Sequence, residues 1–295
     1  MKFLRQRFLF GSEEESEFKY VGLTVSKKGD AVVVSQEGYI DNMILPELED
    51  FCGMKGDDIV SADSQVVFRE LVGKIGWLAN TSRPDLCFDK LILSTKVGKA
   101  TVADVKMAAK IVKKAKCESS QMIFPNMGPV KEWTLQAYGD GAHKSLPDKV
   151  SSCGGQVIVV TNKVKGLSCV VSWRSRKLRR VVSSSTAAEA LAVNDALDEA
   201  VYVKEVLKEL FGGAAVEIPI ELYTDSRNLY RSVQGTSLLD NPRLRGDVAK
   251  LKESVKNGEI SKLMKIEGQE MIADCLTKKG ACSTKLMNIL RKCEL

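Results

Sequence analysis

The spacing of apolar positions changes along the chain, and each change marks a change in predicted architecture. Between residues 1 and 36 the runs KFLRQRFLF, EFKYVGLTVS and AVVVSQ are rich in β-branched and aromatic residues and read as short strands. Lys28-Gly29-Asp30 separates the last two, which predicts a hairpin turn. From Gly38 to about Lys116 apolar residues recur three and four apart, as in FRELVGKIGWLA, PDLCFDKLILSTKV and VADVKMAAKIVKKA, so this stretch is predicted helical. Pro84, two residues after Ser82, is placed to open a helix. Residues 117–132, CESSQMIFPNMGPVKE, contain two prolines and a glycine without periodicity, and a domain boundary is expected there.

Beyond that stretch strands and helices alternate. WTLQAYGD, GGQVIVVTN and GLSCVVSWR are predicted strands, with a lysine-rich turn between the last two. A long helix is predicted from about Thr186 to Phe211, with Val193, Leu197, Ala200, Val203, Leu207 and Leu210 as its buried stripe and Gly212-Gly213 as its stop. IPIELYT is a fourth strand, SRNLYRSVQG a short helix, NPRLRGDVAKLKESVKNG a longer one, ISKLMKIE a fifth strand, and MIADCLTK the start of a last helix. That order predicts an α/β unit built on a five-stranded mixed sheet.

Composition narrows the class without naming it. A chain of 295 residues, 44% apolar and 28% charged, suits about two soluble domains and excludes collagen, low-complexity disorder and a disulfide-built miniprotein. No apolar run approaches the ~18 residues of a membrane span, and MKFLRQRFLFGSEEE lacks the apolar core of a signal peptide, so a cytoplasmic or nuclear setting without membrane partners is expected. The eight cysteines show no metal-ligand spacing, and the single histidine, His143, cannot complete a zinc site with them; reduced thiols are expected.

The net charge of +6 does not by itself establish nucleic-acid binding, but the distribution is uneven. From Lys149 to Val182 there are eight basic residues and no acidic one. Lys163, Lys165, Arg174, Arg176, Lys177, Arg179 and Arg180 are the candidate contacts to nucleic-acid phosphates, against the plain alternative of solvated turns. Trp173 reads as core packing rather than a sugar-stacking residue.

Four carboxylates attract attention together, although each has an ordinary explanation. Asp140 in YGDG fits a turn. Glu189 lies three residues after Thr186, as in a capping box. Asp225 stands where a helix N-cap belongs, and Asp274 where an acid favours a helix dipole. In a mixed sheet whose first and fourth strands are neighbours, however, Asp140 and Asp225 lie side by side. Glu189 and Asp274 then approach from flanking helices. Converging carboxylates repel one another unless cations join them, and an all-oxygen donor set favours Mg²⁺ or Mn²⁺. Such a pair of ions suits phosphodiester hydrolysis.

At these positions the chain resembles the ribonuclease H domain of copia-type retrotransposon Pol polyproteins. The matching segments are YGDGA at 138–142, SWRSRKLRRVVSSSTAAEA at 172–190, ELYTDSRN at 221–228 and IADCLTKKG at 272–280. The resemblance implies that Asp140, Glu189, Asp225 and Asp274 are the catalytic, metal-holding acids, separated by 49, 36 and 49 residues. FRELVGKIGWLANTSRPDLCF at 68–88 is similar to the stretch following the polymerase thumb in the same family, and FLFGSEEESEFKYVGLTVS looks like the end of a reverse-transcriptase palm.

The division implied is a palm-end and thumb remnant at 1–60, a helical connection at 61–117, a linker at 118–132 and a ribonuclease H-like domain at 133–295. The function implied is hydrolysis of the RNA strand of RNA–DNA hybrids with two Mg²⁺ ions (or Mn²⁺), with the first segments helping to hold the duplex. The rest of a Pol polyprotein is the further partner implied, and a non-catalytic nucleic-acid-binding remnant is the alternative. No Y-x-D-D motif occurs, Asp57-Asp58 reads as a solvated loop, and polymerase activity is not expected of this chain. Two departures stand out. No histidine precedes the last carboxylate in KIEGQEMIAD, and Arg243-Leu244-Arg245-Gly246-Asp247 replaces a common T-K-H-I-D segment.

Overall fold

The computed structural model describes residues 16–211, 217–235 and 241–294. The predicted first strand, KFLRQRFLF, and the Gly212-Gly213 stop lie outside these residues. EFKYVGLTVS, read from sequence as one strand, is two: β1 (Glu17–Tyr20) and β2 (Leu23–Lys28). Val21 and Gly22 both adopt positive φ, 47° and 78°, and so form the tight turn between them. Gly29, at φ 60°, turns β2 into β3 (Ala31–Ser35) as expected. The helical stretch then follows as α1 (Glu37–Asp41), α2 (Ala62–Thr81), α3 (Cys87–Ser94) and α4 (Val102–Cys117). Ser61 caps α2, a full capping box of Thr101 and Asp104 opens α4, and Pro84 starts a 3₁₀ turn that leads into α3.

Residues 117–132 are not free linker. Met122–Phe124 form β4, which pairs with β3 and completes a four-stranded antiparallel sheet in the order β1-β2-β3-β4. The stretch is too short to show a period of two, which is why it reads as irregular.

The five-stranded mixed sheet is present as β5 (Trp133–Ala142), β6 (Cys153–Asn162), β7 (Leu167–Lys177), β8 (Ile220–Thr224) and β9 (Lys262–Lys265). Its order is β7-β6-β5-β8-β9; the first three strands are antiparallel, and β8 and β9 add on in parallel. The helices of this half are α5 (Ser185–Phe211), α6 (Arg227–Gln234) and α7 (Pro242–Lys256), and α8 (Thr284–Lys292) follows the last strand. None of the helices described is long and apolar enough to cross a membrane.

Both faces of this sheet are covered, one by α5 to α7 and the other by the helices of the first half together with α8 and residues 271–276. All ten residues of β6 are buried. Alternate positions divide between two cores: Leu135, Ala137, Ile158 and Val160 pack with α5 to α7, whereas Tyr138, Val157 and Val159 share a core with α2 to α4. The Trp173 indole donates to the Ala79 carbonyl oxygen (2.9 Å) and so joins β7 to α2. The first half is thus the third layer of the α/β stack.

On the other face α5 lies very close. A Cβ at Gly139 would fall 2.7 Å from the Val193 Cα, and one at Gly141 2.4 Å from the Ala188 carbonyl carbon, so glycine is required at both positions. The buried stripe of α5 begins as expected with Val193, Leu197 and Ala200 but adds Ala187, Ala188, Ala190, Ala192 and Ala196, whose small size permits this approach. Leu210, expected in the stripe, is exposed.

Candidate active site

Two adjacent strands position the first pair of acids, Asp140 within β5 and Asp225 just past the end of β8. β5 and β8 run parallel in the register Tyr138↔Tyr223, so Asp140 and Asp225 each stand two residues beyond that paired position. The two tyrosine rings stack at 4.6 Å just before them. Asp140 is not in a turn between glycines: it lies inside β5, fully buried, opposite Gly155. Asp225 does not cap α6. Ser226 does, accepting from the Leu229 amide at 3.3 Å, which leaves the Asp225 carboxylate for other work.

Asp274 comes from a different element than expected. MIADCLTK does not start the last helix; Asp274–Leu276 form a single 3₁₀ turn, and α8 begins only at Thr284. The Gly280 backbone, at φ 74°, and the short ACS segment interrupt any continuous helix. This turn nevertheless brings Asp274 to the other two. Single carboxylate oxygens of Asp140, Asp225 and Asp274 all lie within 4.8 Å of one another.

Glu189 approaches from α5 and does not form the Thr186 capping box. Ser184 caps that helix, accepting from the Ala187 amide at 3.2 Å. The Glu189 carboxylate instead accepts from the Gly141 amide at 3.3 Å, next to Asp140 in the chain. It stands beside the three converging acids and outside the 4.8 Å group.

A residue the sequence reading passed over occupies the centre. The Lys278 ammonium is 3.5 Å from Asp140 Oδ1 and also donates to Asp274 Oδ1. Lys278 follows Asp274 by one helical turn's spacing, and that i,i+4 relation was a signal available in the sequence. Thr277 donates its hydroxyl to Asp140 Oδ2. Burial pushes the Asp140 carboxyl up to about 6, with Lys278 opposing. Burial and the charges of Asp140 and Asp225 push Glu189 up to about 9. Burial also raises Asp225, again against Lys278. Lys278 itself is held above its ordinary value: its burial works the other way, but Asp140 and Asp274 outweigh it. A carboxylate set so strongly in need of positive charge, and already holding an ammonium, fits a divalent cation in its donor chemistry and spacing.

The expected basic contacts are mostly occupied. Lys163 pairs with buried Glu221 at 2.8 Å, Lys165 donates to the Asn126 carbonyl at 3.1 Å, and Lys177 faces Asp148 at 3.7 Å. Arg174 approaches Glu199 at 4.0 Å, Arg176 pairs with Asp195, and Arg180 pairs with Asp247 of α7. Arg179 is exposed. Arg174 and Arg176, candidate phosphate contacts, lie on the opposite face of the sheet from Asp140. In the register of β6 with β7 they oppose Gln156 and Gly154, while Ser175 opposes Gly155, the partner of Asp140. Successive strand residues point to opposite faces, so the two arginines lie on the α5 side and Asp140 on the other. His143 contacts the Val182 carbonyl at 3.1 Å and takes no part in the acid group.

No protein-family model matches the sequence. Three curated relatives do. The Retrovirus-related Pol polyprotein from transposon RE1 of Arabidopsis thaliana is 25% identical over 299 residues, covering 93% of this chain and 19% of that protein. The corresponding RE2 polyprotein is 26% identical over 218 residues, covering 72% of this chain and 14% of the relative. The putative transposon Ty5-1 protein YCL074W of Saccharomyces cerevisiae is 25% identical over 133 residues, covering 45% and 41%.

The chain thus spans about a fifth of the length of the first of these relatives and less than half of the others. Among solved structures, RNase H1 from Halobacterium salinarum is 20% identical with a TM-score of 0.36, covering 49% of this chain and 94% of that one. LC11-RNase H1 in complex with RNA/DNA hybrid has the same identity, 20%, and TM-score, 0.36, covering 52% and 99%. The homologues of the chain are retrovirus-related Pol polyproteins of Ty/copia-type transposons, and its α/β fold is a five-stranded mixed sheet with flanking helices.

Proposed function

We propose that this chain, whose homologues are transposon Pol polyproteins, is a divalent-cation-dependent endonuclease that hydrolyses the RNA strand of RNA–DNA hybrids. The observation that carries the reading is the convergence of Asp140, Asp225 and Asp274 within 4.8 Å, from two parallel strands and a 3₁₀ turn. Asp140, Asp225 and Asp274, with Glu189 beside them, would hold two Mg²⁺ or Mn²⁺ ions. Such ions, when bound, supply an activated water and stabilise the leaving 3′ oxygen.

The chain's own residues prepare the site. The Asp140 strand and the Asp225 strand are locked by parallel pairing, so their carboxylates meet without rearrangement. The Gly141 amide orients Glu189, and the Thr277 hydroxyl fixes the rotamer of Asp140. Burial of Asp140 and Glu189 keeps bulk water from screening the charges there.

A second reading has its own observation. Lys278 supplies one positive charge to the acids, so the cluster does not depend wholly on metal for neutrality, and a non-catalytic hybrid-binding remnant is compatible with it. Cleavage of an end-labelled RNA–DNA hybrid in Mg²⁺ or Mn²⁺, with EDTA and Asp225→Asn controls, separates the two. RNA-strand cutting that is lost in both controls is the expected result. Absence of cutting by folded protein in either metal favours the binding remnant, and cutting by Asp225→Asn at the unmodified rate refutes the site.

A further inference from the structure

Three adjoining hollows lie on the side of the sheet covered by the first half of the chain, one of them beside the turn that follows Asp274. That one, of about 530 Å³, is lined by Lys144, Lys149, Lys278 and Lys279, with Phe88, Ile92 and Met107 as its apolar wall. Leu146 and Pro147 connect it to a second of about 300 Å³ carrying Lys96, Lys99 and Lys177. Met107 and Lys279 connect it to a third of about 620 Å³ carrying Lys106, Lys110 and Lys114. The shared walls make one groove across α3, α4, the 144–149 loop and the 277–279 turn.

Ten lysines line this groove against three acids, and two of the acids are already engaged. Asp104 closes the α4 capping box with Thr101, and Asp148 accepts from Ser151 and faces Lys177. Lys106, Lys110 and Lys114 stand one turn apart on one face of α4. Lys114 bonds buried Asp85, but Lys106, Lys110, Lys144, Lys149 and Lys279 have no ion pair among the described residues. Unpaired, exposed ammonium groups along a groove that has an apolar wall and passes the turn following Asp274 match a sugar-phosphate backbone better than any neutral or cationic partner.

We propose that this lysine-lined groove is the track along which the chain holds the backbone of an RNA–DNA hybrid adjoining the acids. It rests on the function proposed above and differs from the arginine stretch in β7, most of whose charges are paired within the chain. Recognition here is of phosphates, so it is indifferent to base sequence and weakens steeply with salt.

The test is binding of a fluorescent RNA–DNA hybrid in EDTA, by anisotropy across a salt series. It compares the full chain with Lys106→Gln/Lys110→Gln/Lys279→Gln and with Arg174→Gln/Arg179→Gln. The lysine variant is expected to lose about ten- to hundredfold in affinity at moderate salt and to flatten the log–log salt slope by about two to three. The arginine variant should change little. Circular dichroism and the Mn²⁺-induced shift in melting temperature check that the lysine variant keeps its fold and its acid site. Unchanged affinity and slope in the lysine variant overturn the track, and so does a larger loss in the arginine variant. If the full chain binds through the lysines but never cuts, the track stands and the hydrolytic reading fails; if it cuts and the lysine variant binds normally, the reverse holds.

Discussion

The ammonium of Lys278 lies 3.5 Å from a carboxylate oxygen of Asp140, a residue with no exposed surface, and it bonds Asp274 as well. One side chain therefore bridges two of the three acids that converge. A lysine in that position competes with any divalent ion for the same oxygens.

Replacing it should expose that competition. Lys278→Met keeps the length of the stem and removes the charge, so Mn²⁺ titrated into the metal-free protein is expected to bind about tenfold more tightly. Isothermal titration calorimetry reads the change directly. Weaker or unchanged Mn²⁺ affinity would mean that the ammonium and the ion occupy different places.

The raised carboxyls give a pH dependence whose sign can be worked out. Asp140 and Glu189 titrate near 4 in an unfolded chain but at about 6 and about 9 in the folded, ion-free protein. Folding is favoured while both are protonated, and that contribution is lost as pH rises through about 6 for Asp140 and about 9 for Glu189. In EDTA the melting temperature should therefore fall between pH 5 and pH 9. Saturating Mg²⁺ should flatten the profile. A metal-free profile rising over that range contradicts the placement of these two acids.

Gly141 tests the approach of α5 to the sheet. A methyl group there meets the Ala188 backbone at 2.4 Å, which cannot give way as a flexible side chain would. Gly141→Ala is expected to lose about 3 kcal/mol in urea denaturation. It also pushes away the helix that carries Glu189, so cleavage should fall further than stability alone explains.

Arg83 anchors the first half from within. Its side chain is fully buried, bonding Asp85 at 2.8 and 2.9 Å and the carbonyls of Ala115 and Glu118 at 3.3 and 3.2 Å. Arg83→Met leaves the buried Asp85 with Lys114 alone and should cost about 3–5 kcal/mol, measured by chemical denaturation. Arg83→Met/Asp85→Leu removes the stranded charge and should recover much of that loss. A double variant as unstable as the single one would assign the effect to the carbonyl contacts at the end of α4.

Much of this was legible in the sequence because it is periodic or local. β5 to β9 and α5 to α7 follow from alternation and helical spacing, and the neighbouring of Asp140 and Asp225 follows from strand order. What was not legible depends on contacts between distant segments. Nothing local in Thr186-x-x-Glu189 says that Ser184 takes the cap and frees Glu189 for the Gly141 amide. The side of the sheet on which Arg174 falls depends on its register with β6, and a one-residue difference would have reversed it. The lysines of α4 carry no signal of their own in the sequence, because the hollow they line is completed by residues 144–149 and 277–279.

The floor beneath Asp274 is shared between the two halves of the chain. Cys275 and Leu276, the rest of its 3₁₀ turn, are buried in the core that also contains Leu86, Cys87 and Leu93, and Ser175 secures the Leu276 carbonyl at 2.5 Å. A genetic exchange that carried residues 133–295 alone into a new protein would deliver a sheet with Asp140 and Asp225 in register and Asp274 on a turn stripped of part of its support. If the proposed nuclease activity is what selection keeps, the two halves are inherited as one unit, with the crossover point of a successful chimera lying outside both.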